Sequence, residues 1–320
     1  MPKILITGVT GFLGRHLSRR LQDSRFQVYG LSRKPTNEDP SRPPLNIVQG
    51  DLLWPEELTK VKDQFDFVIH LAGEKRDPAL FDRVNATGLK NLLEALSSFK
   101  QFVLVSSVGV IGPPQSMVVD EGTPAHPLPG YESSKYLGEQ ILTEFCRGRG
   151  YPYTILRPTS VFGEFNPSRP LLNWMKQIGG GKFFYLGKQP VYFNYVYAGD
   201  VAQACCDVLE HTKAFNQILQ VATPVLLHVA VDTVARELNV RSPKRRMPRW
   251  LGFVTAASLG AIQKVSGIRV PFDLRRYRQL VEPTIYSGEK LEREVGFSPR
   301  VGLEEGLRRL ARYYRAQGYL

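Results

Sequence analysis

Cysteine is scarce: the 320-residue sequence contains three cysteines. The cysteines and histidines form no cluster in the sequence. Three cysteines are too few for a disulfide framework, and the adjacent pair Cys205 and Cys206 lacks the spacing of a zinc site or a C-x-x-C redox motif. The five histidines are scattered without metal-ligand spacing. We therefore predict no metal site, and the low cysteine content favours a cytoplasmic location.

Long hydrophobic runs are also missing. The longest apolar stretch extends from Trp250 to Ile262 and is shorter than the roughly 18 residues that a membrane-spanning helix needs. The N-terminus enters an apolar strand at Lys3 without a charged leader followed by a cleavable apolar segment. We expect a globular protein with no secretory signal and no membrane span, so that membrane contact, if any, is peripheral.

Acidic residues are in the minority, with 30 Asp and Glu against 42 Lys and Arg, and the net charge is +12. The basic excess is concentrated between positions 236 and 278, where the acidic residues are Glu237 and Asp273. Within this region, the segment 244–270 combines basic flanks, a tryptophan and an apolar middle. It has three functional interpretations: a lid helix over the substrate, a patch on an anionic membrane, or a basic surface for nucleic acid. The lid is favoured, and nucleic acid is not predicted as a partner because no recognition module accompanies the charge. Solvated charge on exposed helices explains the excess about as well.

Strand-like runs alternate with helical patterns through the first half of the chain. This alternation predicts an α/β fold with a Rossmann-type, doubly wound parallel sheet covered on both faces. The second half is less regular and mostly helical, which predicts a smaller, mainly helical C-terminal substrate domain. We place the nucleotide-binding domain at residues 1–165, with 191–222 returning to it, and the substrate-binding cap at 166–320.

The first turn reads TGVTGFLG and places Gly8, Gly11 and Gly14 directly after a strand, at the opening of a helix. Missing side chains let the backbone approach a pyrophosphate, and the helix N-terminus supplies unpaired N–H donors. The turn therefore predicts a dinucleotide site, and Thr10, Phe12 and Leu13 belong to it.

A carboxylate is missing where an NAD site is expected to have one. The second strand ends in Ser32, Arg33 and Lys34, although an acidic residue normally holds the ribose hydroxyls of NAD at this point. A guanidinium can pair with the 2′-phosphate of NADP instead. We therefore predict NADP as the cofactor through Arg33, with NAD as the alternative.

Tyr131 and Lys135 stand four residues apart in the stretch YESSK. On a helix this spacing places both side chains on one face, where the ammonium favours phenolate and lowers the pKa of the phenol. The pair predicts a general acid or base. The alternative is a surface tyrosine and lysine on an ordinary amphipathic helix.

These motifs together resemble the extended short-chain dehydrogenase/reductases, often called the NAD-dependent epimerase/dehydratase family. Further matching stretches are VIHLAG, NATGLKNLLEA, VSSVGVIG, LRPTSVFG, YVYAGDVAQA and, near the C-terminus, YSGEKLEREVGFSPRVGLEEGL, so the resemblance runs from end to end. It implies that Ser107 is the catalytic serine, with Ser106 as the second choice, and that Lys135 also contacts the nicotinamide ribose. It implies that Asn85 supports the lysine. It also implies a homodimer through the helices after Asn85 and Tyr131.

The same resemblance implies further cofactor contacts along the chain. They are Asp51 and Leu52 at the adenine, Leu71, Ala72 and Gly73 at the ribose and pyrophosphate, and Pro158 and Thr159 at the nicotinamide end.

The substrate half departs from the nucleotide-sugar members of the family. Phe193 stands where those members usually carry an arginine for the diphosphate, and Ser160 stands where they tend to have Asn. The sequence is closer to the steroid-dehydrogenase and flavonol-reductase branches. We therefore expect an NAD(P)-dependent oxidoreductase that transfers a hydride at a secondary alcohol or ketone of a small, partly apolar substrate. The alternatives are a nucleotide-sugar epimerase or dehydratase with tightly bound NAD, and a nucleotide-sensing binding protein with vestigial catalytic residues.

Overall fold

The computed structural model describes residues 1–22, 24–34, 45–62, 64–166, 170–266 and 274–320. The strands are β1 (Lys3–Thr7), β2 (Gln27–Ser32), β3 (Asn46–Gln49), β4 (Phe67–His70), β5 (Gln101–Val105), β6 (Val118–Val119), β7 (Tyr153–Pro158), β8 (Ser160–Phe162), β9 (Tyr185–Leu186), β10 (Tyr192–Phe193), β11 (Tyr195–Tyr197), β12 (Gln217–Val221), β13 (Val225–Leu226), β14 (Arg246–Met247) and β15 (Ile285–Tyr286). The helices are α1 (Phe12–Leu21), α2 (Gly88–Ala95), α3 (Tyr131–Arg149), α4 (Pro170–Gly179), α5 (Ala198–Asp207), α6 (Leu227–Glu237), α7 (Arg249–Ser266), α8 (Leu274–Val281), α9 (Glu289–Val295) and α10 (Gly302–Ala316).

A seven-stranded parallel sheet forms the centre, in the order β12-β7-β5-β4-β1-β2-β3. The chain builds from β1 through β2 to β3 and then returns to the other side of β1 with β4. The strand order therefore reverses beside β1, and ligands of open α/β sheets bind at the carboxyl ends of the strands at such a point. The predicted α/β, Rossmann-type, doubly wound fold is confirmed.

Successive residues of β1 point to opposite faces of the sheet, and each face has its own core. Ile4 and Ile6 pack in one cluster with residues of α1 and α5, such as Leu17 and Val201. Leu5 belongs to the other cluster, together with apolar residues of α2 and α3. Burial on both faces explains why these strands read as nearly continuous apolar runs.

The C-terminal part packs around a third core, built by α4, α6 and α10 from residues such as Met175, Val234 and Leu307. Within 191–222, β12 pairs with β7 at the edge of the central sheet, and α5 packs on α1. These are the contacts that the expected return of 191–222 requires. The domain boundaries themselves stay a prediction.

In the described ranges, no helix is long and apolar enough to cross a bilayer. Within the same ranges, His, Cys, Asp and Glu side chains do not gather in groups of three or more that could hold a metal ion. Of the basic region, Arg269 and Asp273 lie outside the described residues. Pairing of two copies through α2 and α3 and the cytoplasmic location stay predictions.

Candidate active site

A cleft of about 1290 Å³ lies at the carboxyl ends of the central strands. Its lining includes every residue that the sequence predicted for the cofactor and for catalysis, and their roles there stay a proposal. These residues are Gly8, Thr10, Gly11, Phe12, Leu13, Arg33, Asp51, Leu52, Leu71, Ala72, Gly73, Ser107, Tyr131, Lys135, Pro158 and Thr159. Residues far apart in the sequence thus meet around one space, because parallel strands end at the same edge of the sheet.

The glycine turn between β1 and α1 has no room for a side chain at Gly8 or Gly14. Gly8 has φ +68°, and a Cβ atom there would lie 2.7 Å from the backbone nitrogen of Ala72. A Cβ on Gly14 would lie 2.4 Å from the carbonyl oxygens of Gly8 and Val9. The turn can therefore press against the loop after β4 and leave the first turn of α1 open to a ligand, as a dinucleotide site requires.

Gly14→Ala is expected to destabilise the fold by about 1–3 kcal/mol, because the added methyl group collides with backbone that cannot move aside. It should also weaken dinucleotide binding, since the turn must shift. Urea unfolding followed by circular dichroism, together with titration of NADPH, measures both effects.

The matched control is Gly148→Ala, because Gly148 is an exposed position in α3 with no atom within 4 Å of an added Cβ. We expect this variant to gain about 0.5–1 kcal/mol, since alanine favours helix more than glycine. If Gly14→Ala were as stable as the wild type and bound NADPH equally well, the close packing of the turn would be refuted.

The end of β2 carries basic residues and no carboxylate, as predicted. Ser32 Oγ donates to the carbonyl oxygen of Lys34 at 2.8 Å and accepts from the Lys34 backbone N–H at 3.3 Å. This local turn follows the last residue of the strand and places Arg33 on the rim of the cleft, with an exposed side chain. Asp51 lines the cleft from the neighbouring segment after β3.

Asn85 fixes the loop after β4 against α3. Its Oδ1 accepts from the Glu74 N–H at 2.9 Å, while its Nδ2 donates to the Glu74 carbonyl at 2.9 Å and to Ser134 Oγ at 2.8 Å. The residue lies in a π-helical turn, Arg83–Thr87, that leads into α2. The contacts in the structure join Asn85 to Glu74 and to Ser134, the neighbour of Lys135. Its expected support of the lysine, through a water or backbone contact, stays a prediction.

Helix α3 begins at Tyr131, because Gly130 adopts φ +105° and Ser133 Oγ accepts the Gly130 N–H at 3.0 Å. The Tyr131 ring lies edge-on to Phe81, with 6.0 Å between the ring centroids. Burial of the phenol, and to a smaller extent the charge of Glu132, raises the pKa of Tyr131 to about 12.

The prediction that Lys135 lowers the pKa of Tyr131 is therefore wrong for this structure. Lys135 is 5% exposed, and its Nζ donates to the Val105 carbonyl oxygen at 2.9 Å. Burial lowers the pKa of Lys135 itself to about 8, against the opposing effect of the Glu139 carboxylate. Desolvation of both groups thus outweighs the attraction that their spacing suggests.

A buried ion pair stands one helical turn beyond Lys135. Glu139 accepts from Arg157 Nη2 at 2.6 Å and from Arg157 Nε at 3.0 Å, and both residues are 3% exposed. This bidentate pair joins α3 to β7. The sequence analysis did not identify it, although the i, i+4 spacing from Lys135 to Glu139 was a signal.

Two cleft hydroxyls lack a hydrogen-bond partner among the described residues: Ser106 Oγ and Thr159 Oγ1, both of which are buried. Ser107 Oγ, by contrast, accepts from the Gly109 N–H at 3.0 Å and caps the short helix Val108–Ile111. Buried polar groups are rarely left unpaired. Ser106 and Thr159 therefore offer the cleft hydrogen bonds that a bound molecule can complete.

The far wall of the cleft comes from residues that the sequence analysis missed, namely Leu171, Tyr195, Leu310 and Tyr314. Leu310 and Tyr314 share the buried face of α10 at i, i+4 spacing, but this pattern did not reveal that the helix reaches the cleft. Phe162 also lines this wall.

Phe193 belongs to the core. It is 7% exposed, and its ring stacks on Trp174 and Tyr195 at centroid distances of 5.1 and 4.3 Å. Packing therefore explains this residue, and the position offers the cleft no positive charge for a diphosphate.

The proposed lid helix corresponds to α7, with its preceding basic residues. The described residues of α7 do not line the cleft. The described part of α7 therefore does not cover the cleft in this structure, and the lid role stays a prediction.

Comparison with known proteins agrees with this geometry. The model of the NAD dependent epimerase/dehydratase family matches residues 4–222, more than half of the chain. The chain belongs to this family. The predicted resemblance is confirmed.

Curated relatives include both epimerases and dehydrogenases. The N-acetyl-α-D-glucosaminyl-diphospho-ditrans,octacis-undecaprenol 4-epimerase of Escherichia coli O157:H7 is 29% identical over 322 residues, covering 97% of this chain and 94% of the relative. The decarboxylating sterol-4-α-carboxylate 3-dehydrogenase of Saccharomyces cerevisiae is 25% identical over 343 residues, covering 96% of each chain. Family membership thus supports an enzyme of NAD-dependent type and leaves its reaction open.

Solved structures share the fold. The UDP-glucuronic acid 4-epimerase from Bacillus cereus in complex with NAD superposes with a TM-score of 0.73, at 20% identity, covering 98% of this chain and 99% of that one. RMD from Pseudomonas aeruginosa, complexed with NADPH, superposes with a TM-score of 0.69, at 20% identity, covering 99% of this chain and 100% of that one. Neighbours of this fold therefore bind either cofactor.

Proposed function

We propose that the chain is an NADP-dependent oxidoreductase that interconverts a ketone and a secondary alcohol on a partly apolar substrate. One observation carries the proposal: Ser107, Tyr131 and Lys135 line the same cleft as the glycine turn. The raised pKa of Tyr131, about 12, keeps the phenol protonated at neutral pH. A protonated phenol can donate to a ketone oxygen, which is the proton transfer that ketone reduction requires.

The residues of the cleft fit a nicotinamide dinucleotide. Gly8 and Gly14 place no side chain in the turn at the N-terminus of α1, where the pyrophosphate would lie. The Ser106 and Thr159 hydroxyls supply unpaired polar groups at the other end of the cleft. Asp51 and Leu52 would meet the adenine, and Lys135 the nicotinamide ribose.

The cofactor and the side chains of the cleft would supply different parts of the reaction. When bound, the nicotinamide supplies the hydride to the carbonyl carbon. Tyr131 donates its phenolic proton to the developing alkoxide, while the Ser107 hydroxyl hydrogen-bonds the same oxygen and orients it. The Lys135 ammonium donates to the Val105 carbonyl oxygen and lines the same cleft, where its positive charge would favour the phenolate that this proton transfer leaves on Tyr131.

We propose a substrate with a large apolar part. Phe162, Leu171 and Leu310 give the far wall of the cleft an apolar surface, and Tyr195 and Tyr314 add phenol hydroxyls. The two curated relatives support this class, because their names describe an undecaprenol derivative and a sterol.

The activity test follows NADPH oxidation at 340 nm with a panel of ketones that includes alicyclic, steroid and long-chain compounds. We expect turnover of an apolar ketone, with Tyr131→Phe as the inactive control. Binding of NADPH without turnover of any ketone or alcohol would contradict the proposal.

Arg33→Ala should weaken NADPH binding by at least about tenfold and NADH binding by less than about threefold, because the guanidinium pairs only with the 2′-phosphate. Calorimetric titration of each nucleotide into the wild type and the variant measures both ratios.

The matched control is Arg147→Ala, which removes an exposed arginine from α3. This variant should leave the affinities for NADPH and NADH unchanged. Equal losses for NADPH and NADH in Arg33→Ala would contradict the phosphate role and leave NAD as the cofactor.

A second candidate is an epimerase that keeps NAD tightly bound and restores it within each cycle. It is favoured by the relative from Escherichia coli, a 4-epimerase that is similar over 97% of this chain. The packing of Phe193 argues against nucleotide-sugar substrates in particular, since the arginine that those enzymes usually carry is replaced by a core residue.

A further inference from the structure

Helix α7 has the reverse of the usual amphipathic pattern, because small residues face the protein and large apolar residues face solvent. On its inner face Ala256 is fully buried, and a Cβ on Gly252 would lie 2.9 Å from Leu186 Cδ2 and 3.2 Å from Tyr277 Cε2. The helix thus rests closely on β9 and α8, and none of its described residues buries a large side chain there. Its packing explains why small residues are present, but not why the outer face is apolar.

The outer face of α7 exposes an unusual amount of apolar surface. Trp250 is 67% exposed, Val254 50% and Leu251 38%. Trp250 and Val254 are one turn apart and Leu251 is adjacent, so they form one continuous patch. Phe253, 50% exposed, borders the patch and contacts the Tyr277 ring. We call Trp250, Leu251, Phe253 and Val254 the α7 patch.

Basic residues flank this patch and acidic residues are few. Lys244 and Arg245 are exposed just before α7. Lys188 is exposed directly after β9, and β9 pairs with β14, the strand that precedes α7. The sequence has no Asp or Glu from position 238 to position 272. Among the described carboxylates, Asp232 is half-buried and acts on the Tyr185 phenol, and Glu282 is exposed after α8. The surface therefore carries positive charge around an apolar centre.

We propose that the α7 patch and its basic flank dock on a bilayer that contains anionic phospholipids. The tryptophan and aliphatic side chains would enter the headgroup and acyl boundary, while the lysines and arginines would face the lipid phosphates. A second copy of the chain is a poorer occupant, because two such faces would bring like charges together. This docking is independent of the proposed reaction and can be tested without a substrate.

The first experiment uses the wild-type chain with vesicles of phosphatidylcholine alone or with about one third phosphatidylglycerol. We expect co-sedimentation with the anionic vesicles, little with the neutral ones, and a loss of binding as the salt concentration rises. Equal binding to both vesicle types, or binding to neither, would overturn the proposal.

The second experiment tests whether α7 is the part of the chain that contacts the vesicle. The chain has three tryptophans, and Trp54, 52% exposed in the loop after β3, is the matched control for Trp250. Trp250→Ser combined with Val254→Ser should weaken binding to anionic vesicles by at least about tenfold, whereas Trp54→Ser should leave it unchanged. Both changes are at exposed positions, and an unchanged melting temperature verifies the fold of each variant.

Two further readouts do not depend on those variants. Tryptophan emission should shift to shorter wavelength on vesicle binding in the wild type and in Trp54→Phe, but not in Trp250→Phe. Lys244→Gln with Arg245→Gln should weaken vesicle binding by about fivefold for each charge removed. Sedimentation velocity that showed a dimer dissociated by the Trp250 change, without vesicle binding, would assign the patch to self-association and overturn the proposal.

Discussion

Tyr131→Phe is expected to lower kcat for ketone reduction by about a hundredfold to ten-thousandfold while leaving the NADPH affinity within about threefold of the wild-type value. The variant lacks only the hydroxyl, and its ring can keep the edge-on contact with Phe81. Because the phenol has a raised pKa of about 12, it is protonated in the free protein and can donate the proton that the proposed reduction needs.

Steady-state kinetics on the ketone that the wild type reduces fastest, with NADPH titrated separately, measures both quantities. Tyr136→Phe is the control, since Tyr136 lies on the same helix, packs beside the Val110 and Ile111 cluster and is absent from the cleft lining. A kcat within tenfold of the wild type would remove Tyr131 from proton transfer.

Lys135→Met should have two large and opposite effects: lower activity and higher stability. The ammonium is buried, with a pKa of about 8 against an ordinary 10.5, which corresponds to a cost on the order of 3 kcal/mol to the fold at neutral pH. The variant removes this cost. It also leaves the Val105 carbonyl oxygen without its hydrogen-bond donor, which reduces the gain in stability by about 1 kcal/mol. We therefore expect a net gain of about 1–3 kcal/mol, with kcat reduced at least about a hundredfold.

The stability gain should depend on pH in a defined direction. Between pH 8 and 10.5 the folded wild type binds fewer protons at Lys135 than the unfolded chain, so its stability rises with pH. The advantage of Lys135→Met should therefore be largest below pH 8 and shrink above it. Urea unfolding at several pH values measures this difference.

The matched control for this prediction is Lys90→Met. Lys90 has a side chain 60% exposed and pairs with Glu94 at 3.8 Å, a surface contact that contributes little to stability. It should change neither stability nor activity appreciably at any of these pH values. A Lys135→Met variant less stable than the wild type at pH 7 would contradict the assignment of a destabilising buried ammonium.

Local patterns were sufficient to predict the sheet and one side of the cleft. The glycine turn follows β1 directly, and Arg33 follows β2, so short stretches determined where these residues lie. Parallel strands then bring their carboxyl ends together, which explains why the predicted residues meet. Tyr131 and Lys135 share a helix, so their spacing alone gave their proximity.

Properties that depend on burial could not be predicted in this way. The phenol of Tyr131 and the ammonium of Lys135 lose water contact through elements that are distant in sequence, and this desolvation reversed the expected pKa shift. Tyr314 reaches the cleft only because α10 packs across the C-terminal core. A core aromatic such as Phe193 and a cleft aromatic such as Phe162 look alike in sequence, so the sequence alone did not separate them.

The central claim is that the cleft binds a nicotinamide dinucleotide, and the most direct measurement is to denature freshly purified protein and identify the released nucleotide by mass spectrometry. Calorimetric titration of the native protein with NADPH, NADP, NADH and NAD completes it. We predict an empty or freely exchanging site that binds NADPH most tightly, whereas stoichiometric, non-exchanging NAD would favour the epimerase. Failure to release or bind any of the four nucleotides would contradict the account.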